Sequence, residues 1–232
     1  MAVFDKIMEF TSKELLLRRA AELIVESCSA AAQPSINLTG GNTIGALYRL
    51  LATDYRAQID WPHLIVTWGD ERFVPRDHPD HNGAAAWRLL LDHVPVSPEN
   101  IFEIPTDLGS ALAGAAAYEQ TLHQLARTKD LFDVTLLSLG DDGHVASLLP
   151  AQPVLRETQA WVAAVPHGRP EPRITLTYPA LARSRRLLLI ASGVAKSHVL
   201  REILAGSDQY PASHLHVDGE LILLADGAAL GA

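Results

Sequence analysis

The chain is 232 residues long and 48% hydrophobic, enough for one sizeable core, while no apolar run reaches the roughly 18 residues of a membrane-spanning helix. With 19 Lys and Arg against 27 Asp and Glu the net charge is -8, and no basic cluster forms a stripe for nucleic acid, so the expected partner is a small molecule, anionic if positive groups converge locally. The single cysteine, Cys28, excludes an internal disulfide, and Asp5, Lys6 and Glu9 stand where a signal peptide would be basic and then apolar, so a cytoplasmic setting is expected.

Thr11-Ser12-Lys13-Glu14 has the form of a capping box, and Leu, Ala, Ile and Val then recur at helical spacing to about Ala32, which predicts a helix covering one face of a sheet. After Pro34, residues 35–39 read as a short strand running into Gly40-Gly41-Asn42-Thr43 and a helix over 44–51. Strand, glycine loop and helix start form an arrangement that binds phosphate, because glycine lets a ligand approach the backbone and the first N–H groups of the helix point at it. An ordinary tight turn has the same signature. The loop is neither a Walker loop nor a dinucleotide fingerprint, since the required Lys and glycine spacing are absent.

The apolar run 63–68 delivers Gly69-Asp70-Glu71-Arg72, so charge follows directly on a strand. His78 and His81 lie with Asp77 and Asp80 in a proline-interrupted loop before a helix over 83–93, and they lack the spacing of a metal site, as does His214-Leu215-His216. Residues 101–104 read as a strand and 111–128 as a helix.

The centre of the chain is residues 133–150, D-V-T-L-L-S-L-G-D-D-G-H-V-A-S-L-L-P. Residues 134–139 predict a strand buried on both faces, after which Gly140-Asp141-Asp142-Gly143-His144 places two carboxylates and a histidine where ligands bind in open α/β sheets. A polar turn whose histidine caps a helix would read alike. Further strands are expected over 159–165 and 185–192, with Arg173-Ile174-Thr175-Leu176-Thr177 after an intervening loop. Gly193 then leads into a helix over 195–205 that opens with Lys196, which opposes the helix dipole unless an anion is held there or the lysine is simply solvated. Residues 221–224 form a last strand. The expected architecture is one α/β domain over 1–232, with a mostly parallel, doubly wound sheet and helices on both faces.

Four strand ends thus present Gly41-Asn42-Thr43, Asp70-Glu71-Arg72, Asp142-Gly143-His144 and Gly193 to Lys196 to one crevice. The set offers an anion cradle, cations, acids and a histidine suited to proton transfer, with no G-x-S-x-G nucleophile. Proton transfer or water activation on a phosphorylated small molecule follows.

The sequence resembles the 6-phosphogluconolactonase family, within the group that includes glucosamine-6-phosphate deaminases. The resemblance spans nearly the whole chain through Gly40-Gly41-Asn42-Thr43, residues 68–75 (W-G-D-E-R-F-V-P), Asp80 to Asn82, residues 140–150, Arg173 to Thr177, Gly193 with Lys196, and Pro211-Ala212-Ser213. It implies hydrolysis of the 6-phosphogluconate lactone without metal or organic cofactor. By that resemblance His144 is the general base and Asp142 orients it. Gly41, Asn42 and Thr43 with Arg72, Arg173 and Lys196 grip the phosphate, and Asp70 and Gly143 complete the substrate-binding set. The family's loop usually reads G-G-S-T-P, so Asn42 and Ile44 depart from it; His81 stands in the usual D-S-N, and Ser138 in a common Gly-Met reads as a packing position. Deaminase relatives carry an A-F-N-E-P-like segment after D-G-H, whose Glu is missing from Ala146-Ser147-Leu148-Leu149-Pro150. A non-catalytic sugar-phosphate sensor would keep the pocket without turnover.

Overall fold

The computed structural model describes residues 4–126 and 130–231. In chain order these form β1 (Lys6–Phe10), α1 (Lys13–Ser29), β2 (Ser35–Leu38), α2 (Asn42–Thr53), β3 (Ile65–Trp68), β4 (Asp70–Arg72), α3 (Asn82–Leu89), α4 (Ala111–Leu125) and β5 (Val134–Ser138). They continue with β6 (Val162–Val165), β7 (Arg173–Leu176), the short α5 (Tyr178–Leu181), β8 (Arg186–Ala191), α6 (Ser197–Leu204), β9 (Glu220–Asp226) and α7 (Gly227–Leu230). Six strands form one sheet in the order β1-β9-β8-β5-β2-β3, and every pairing in it is parallel.

β5 lies between β2 and β8, and the chain crosses outward from it on both sides, so the strand order reverses there. Its first four residues are buried because helices cover both faces of the sheet, which is why Val134, Leu136 and Leu137 form an apolar run instead of an alternating one. α1 turns Leu16, Leu17, Ala20, Ala21, Leu23 and Ile24 inward at helical spacing. Each fully buried Leu or Ile contributes roughly 1.5–3 kcal/mol. Burial also pushes the Cys28 thiol up to about 12, so this cysteine is a packing residue.

Several expectations are corrected. The cap of α1 is Ser12, whose hydroxyl accepts from Leu15 N–H at 3.2 Å; Glu14 pairs with Arg18 instead of closing a capping box from Thr11. β1 escapes the sequence reading because it is an edge strand with a mostly exposed, mixed-polarity K-I-M-E-F. Residues 101–104 make only a single bridge, Ile101 to Val66. The strand expected from residue 159 starts at Val162, because the Glu157 carboxylate collects the N–H groups of Thr158, Gln159 and Ala160 into a turn. α4 ends at Leu125, and the last predicted helical residues, Arg127 and Thr128, lie outside the described residues. The helix over 195–205 divides into a 3-10 turn, Val194–Lys196, and α6.

The main addition is a second, antiparallel sheet in the order β4-β7-β6. Asp70-Glu71-Arg72 is therefore a strand in its own right, entered from β3 through Gly69. Its period-two alternation sends Asp70 and Arg72 to one face and Glu71 to the other.

Candidate active site

The loop after β2 is pinned by Tyr48 on α2, whose hydroxyl accepts from Thr39 N–H at 3.1 Å and donates to Thr39 C=O at 2.6 Å. Gly41 then caps α2 at φ 113°, ψ 156°, a conformation essentially restricted to glycine, and leaves the first N–H groups of the helix without a side-chain cap. Gly40 is required on the other flank. A Cβ there would lie 2.0 Å from Asn82 Oδ1, and Asn82 Nδ2 donates to Asp70 C=O at 3.0 Å.

After β5 the chain makes a tight turn in which Gly140 N–H donates to His144 C=O at 2.8 Å and Gly143 sits at φ 80°. The imidazole lies over Gly140, where a Cβ would be 2.1 Å from Nδ1. Asp142 Oδ1 holds His144 Nδ1 at 2.5 Å, and Asp142 Oδ2 is held in turn by Arg169 Nη2 at 2.5 Å. Burial alone would raise the Asp142 carboxyl; the His144 and Arg169 contacts outweigh it and keep it well below the usual carboxylate range. Asp142 is therefore a fixed anion that occupies Nδ1 and leaves Nε2 for chemistry. Ala146 adopts φ 50°, a left-handed conformation that costs a non-glycine residue roughly 1–2 kcal/mol, at the edge of the same turn.

β4 and β7 supply the remaining charges. Asp70 is buried, with its carboxylate committed to Ser147 Oγ at 2.6 Å, and Ser147 N–H donates to Thr175 Oγ1 at 3.0 Å, which ties the His144 turn to the second sheet. Arg72 Nη1 donates to Asp80 C=O at 2.7 Å. Glu71, on the opposite face, accepts from the N–H groups of Arg72, Asn82 and Gly83 at 2.7–2.8 Å and so fixes β4 to the start of α3. Burial pushes its carboxyl up to about 7 despite these donors. His81 caps α3 by accepting from Ala84 N–H at 3.1 Å through Nδ1, and Glu71 Oε2 lies 3.1 Å from that nitrogen. Arg173 is 8% exposed, and its guanidinium makes no hydrogen bond or ion pair among the described residues. Burial, then Arg72, lowers its pKa.

Lys196 arrives from β8 through Gly193, at φ 93°, ψ 154°. Asp226 holds this loop, accepting from Ser192 Oγ at 2.5 Å and Gly193 N–H at 3.0 Å.

These elements enclose a cavity of about 150 Å³ whose wall includes Gly41, Asp70, Arg72, His144, Arg173 and Lys196. Arg72, Arg173 and Lys196 form no ion pair among the described residues, although the chain carries -8 overall. Of the other expected site residues, Asp142 stands behind His144, and Gly143 packs on Tyr210, where a Cβ would be 2.5 Å from Cδ1. Thr43 lies outside the wall, and Asn42 borders an adjoining cavity. Ser138, read from sequence as a packing position, lines the first cavity. Arg169 and Ser147 were not singled out by the sequence, since each acts through a partner distant in the chain.

A family model for glucosamine-6-phosphate isomerases/6-phosphogluconolactonase matches residues 11–223. The chain belongs to this family. It is 37% identical over 229 residues to the 6-phosphogluconolactonase of Synechocystis sp., covering 94% of each chain. It is also 37% identical to that of Streptomyces coelicolor, over 99% of this chain and 95% of the relative. The 6-phosphogluconolactonase structure from Trypanosoma brucei superposes with a TM-score of 0.87 at 27% identity, covering 99% of both chains. No helix among the described residues is long and apolar enough to cross a membrane.

Proposed function

We propose that this protein is a cytoplasmic 6-phosphogluconolactonase that hydrolyses 6-phospho-D-glucono-1,5-lactone to 6-phosphogluconate, the lactone-opening step of the oxidative pentose phosphate pathway. The observation that carries this reading is the conjunction of three cations free of ion pairs with the Asp142-fixed His144 around one small cavity. A buried guanidinium without a partner is costly in the free protein and fits a dianionic phosphate as its ligand. Arg173 and Lys196, with the N–H groups after Gly41, hold the 6-phosphate, and that remote charge places the ring against His144.

His144 Nε2 takes a proton from water as the water oxygen attacks C1, and Asp142 stabilises the imidazolium that forms. The tetrahedral intermediate collapses with departure of the ring oxygen, which takes the proton back from Nε2; the new carboxylic acid then ionises to solvent. Its transient oxyanion develops beside Arg72. No metal or cofactor takes part in these steps, and no nucleic acid is a partner. The segment 146–150 carries no carboxylate, and Ser147 and Leu148 are fully buried, which favours hydrolysis over isomerising deamination.

Acid release from freshly generated lactone, corrected for spontaneous hydrolysis, tests the proposal. Acceleration of the 6-phosphorylated lactone but not of the unphosphorylated one is expected. No acceleration of either overturns it.

A further inference from the structure

A second cavity, of about 410 Å³, adjoins the first, sharing Gly41, Arg72 and Asn82 as a common wall. Its other side is built by α2 and α3, which approach closely enough at Gly45 that a Cβ there would lie 3.0 Å from Leu89 Cδ1. Arg49, one helical turn beyond Gly45, and Arg88, next to Leu89, both line this space. Neither side chain makes a hydrogen bond or ion pair among the described residues, whereas Arg18, Arg19, Arg185 and Arg186 each meet a carboxylate. Asp80 also lies on the lining, so the local balance is three guanidinium groups to one carboxylate. Asn42, the first residue of α2, also lies on the lining.

We propose that this cavity is a second oxyanion site, which binds the phosphoryl group of a small phosphorylated metabolite independently of the catalytic cavity. Arg49 and Arg88 supply a two-sided clamp, and Arg72, on the shared wall, is the element common to both sites. Two phosphates on either side of one wall repel, so each weakens the binding of the other by the same factor. The binding itself does not depend on the reaction assigned to His144; only the antagonism rests on that reading.

Calorimetric titration with inorganic phosphate and with pyrophosphate, at low ionic strength, tests the site on the intact protein. Two binding events are expected in the wild type. Arg49→Glu with Arg88→Glu abolishes one of them, a loss of at least about tenfold in affinity, with kcat for the lactone unchanged; Arg49→Gln with Arg88→Gln does the same more mildly. Lys196→Ala weakens the other event and retains this one. A single event in the wild type, or two unaltered events in the charge-reversed variant, overturns the proposal. Absence of lactone turnover alongside two binding events would overturn the catalytic reading and leave this one standing.

Discussion

Gly41 and Gly193 adopt nearly the same backbone conformation, φ 113°, ψ 156° and φ 93°, ψ 154°, at the ends of the two strands that flank β5. One opens α2 at the wall of the cavity, and the other delivers Lys196 to it. A side chain in this region of backbone space costs roughly 1–3 kcal/mol. At Gly193 a Cβ would meet nothing within 4 Å, so steric exclusion plays no part there. Gly193→Ala is therefore expected to raise KM for the lactone several-fold with a smaller effect on kcat, as seen in steady-state kinetics. An unchanged KM would show that the loop conformation does not place Lys196.

Asp142 links His144 to Arg169. Asp142→Asn keeps the shape but lets the amide stabilise the wrong tautomer and removes the anion facing the imidazolium. A fall in kcat of roughly 10²–10⁴-fold with KM little altered is expected. Arg169→Ala is expected to cost less, on the order of tenfold in kcat, because it frees Asp142 without removing it, and Arg169→Lys is expected to restore most of the rate.

Arg173 separates stability from function. Replacing this buried, unpartnered cation by Met removes a desolvation cost of about 1–4 kcal/mol, so Tm is expected to rise by a few degrees. KM is expected to rise more than tenfold in the same variant. Added phosphate raises the Tm of the wild type through the site that Arg173 lines, and this component is lost in Arg173→Met. A lower Tm with unaltered KM would assign Arg173 a purely structural part.

Glu71 gives the fold a pH dependence of defined sign. Its carboxyl titrates near 4.5 when unfolded and at about 7 in the fold. Between these values the native state holds a proton that the unfolded chain has released, so this group's contribution falls as pH rises through the window, by on the order of 3 kcal/mol. The His81 imidazole, lowered by burial, acts in the opposite sense below the ordinary histidine range. Comparison of Tm for the wild type and Glu71→Gln across pH 5 to 8 isolates the Glu71 part, and the wild type is expected to lose more stability on going to pH 8.

Much of this arrangement is legible in the sequence because the parallel sheet writes itself locally. An apolar run such as Val134 to Leu137, followed at once by glycine and charge, marks both a buried strand and its ligand-facing end. Gly41, His144 and Lys196 announce themselves in that way. The second sheet does not, since Asp70-Glu71-Arg72 carries three successive charges and its alternation is between two polar environments. Arg169 has no local signal at all; it acts across 27 positions on Asp142 from an exposed Gly-Arg-Pro loop. Ser147 looks like a turn residue until its hydroxyl is seen on Asp70, 77 positions away. His81 shows the converse, a departure from the family pattern whose side chain caps α3.

The central claim is that His144 activates water on a substrate anchored elsewhere. The most direct measurement pairs lactone hydrolysis with 6-phosphogluconate binding in His144→Ala. Loss of at least about 10²-fold in kcat, with affinity for the phosphosugar within a factor of a few of the wild type, is the predicted result. Turnover in His144→Ala comparable to the wild type would contradict it, and would move the search for the base to the other acids lining the cavity, Asp70 and Asp141.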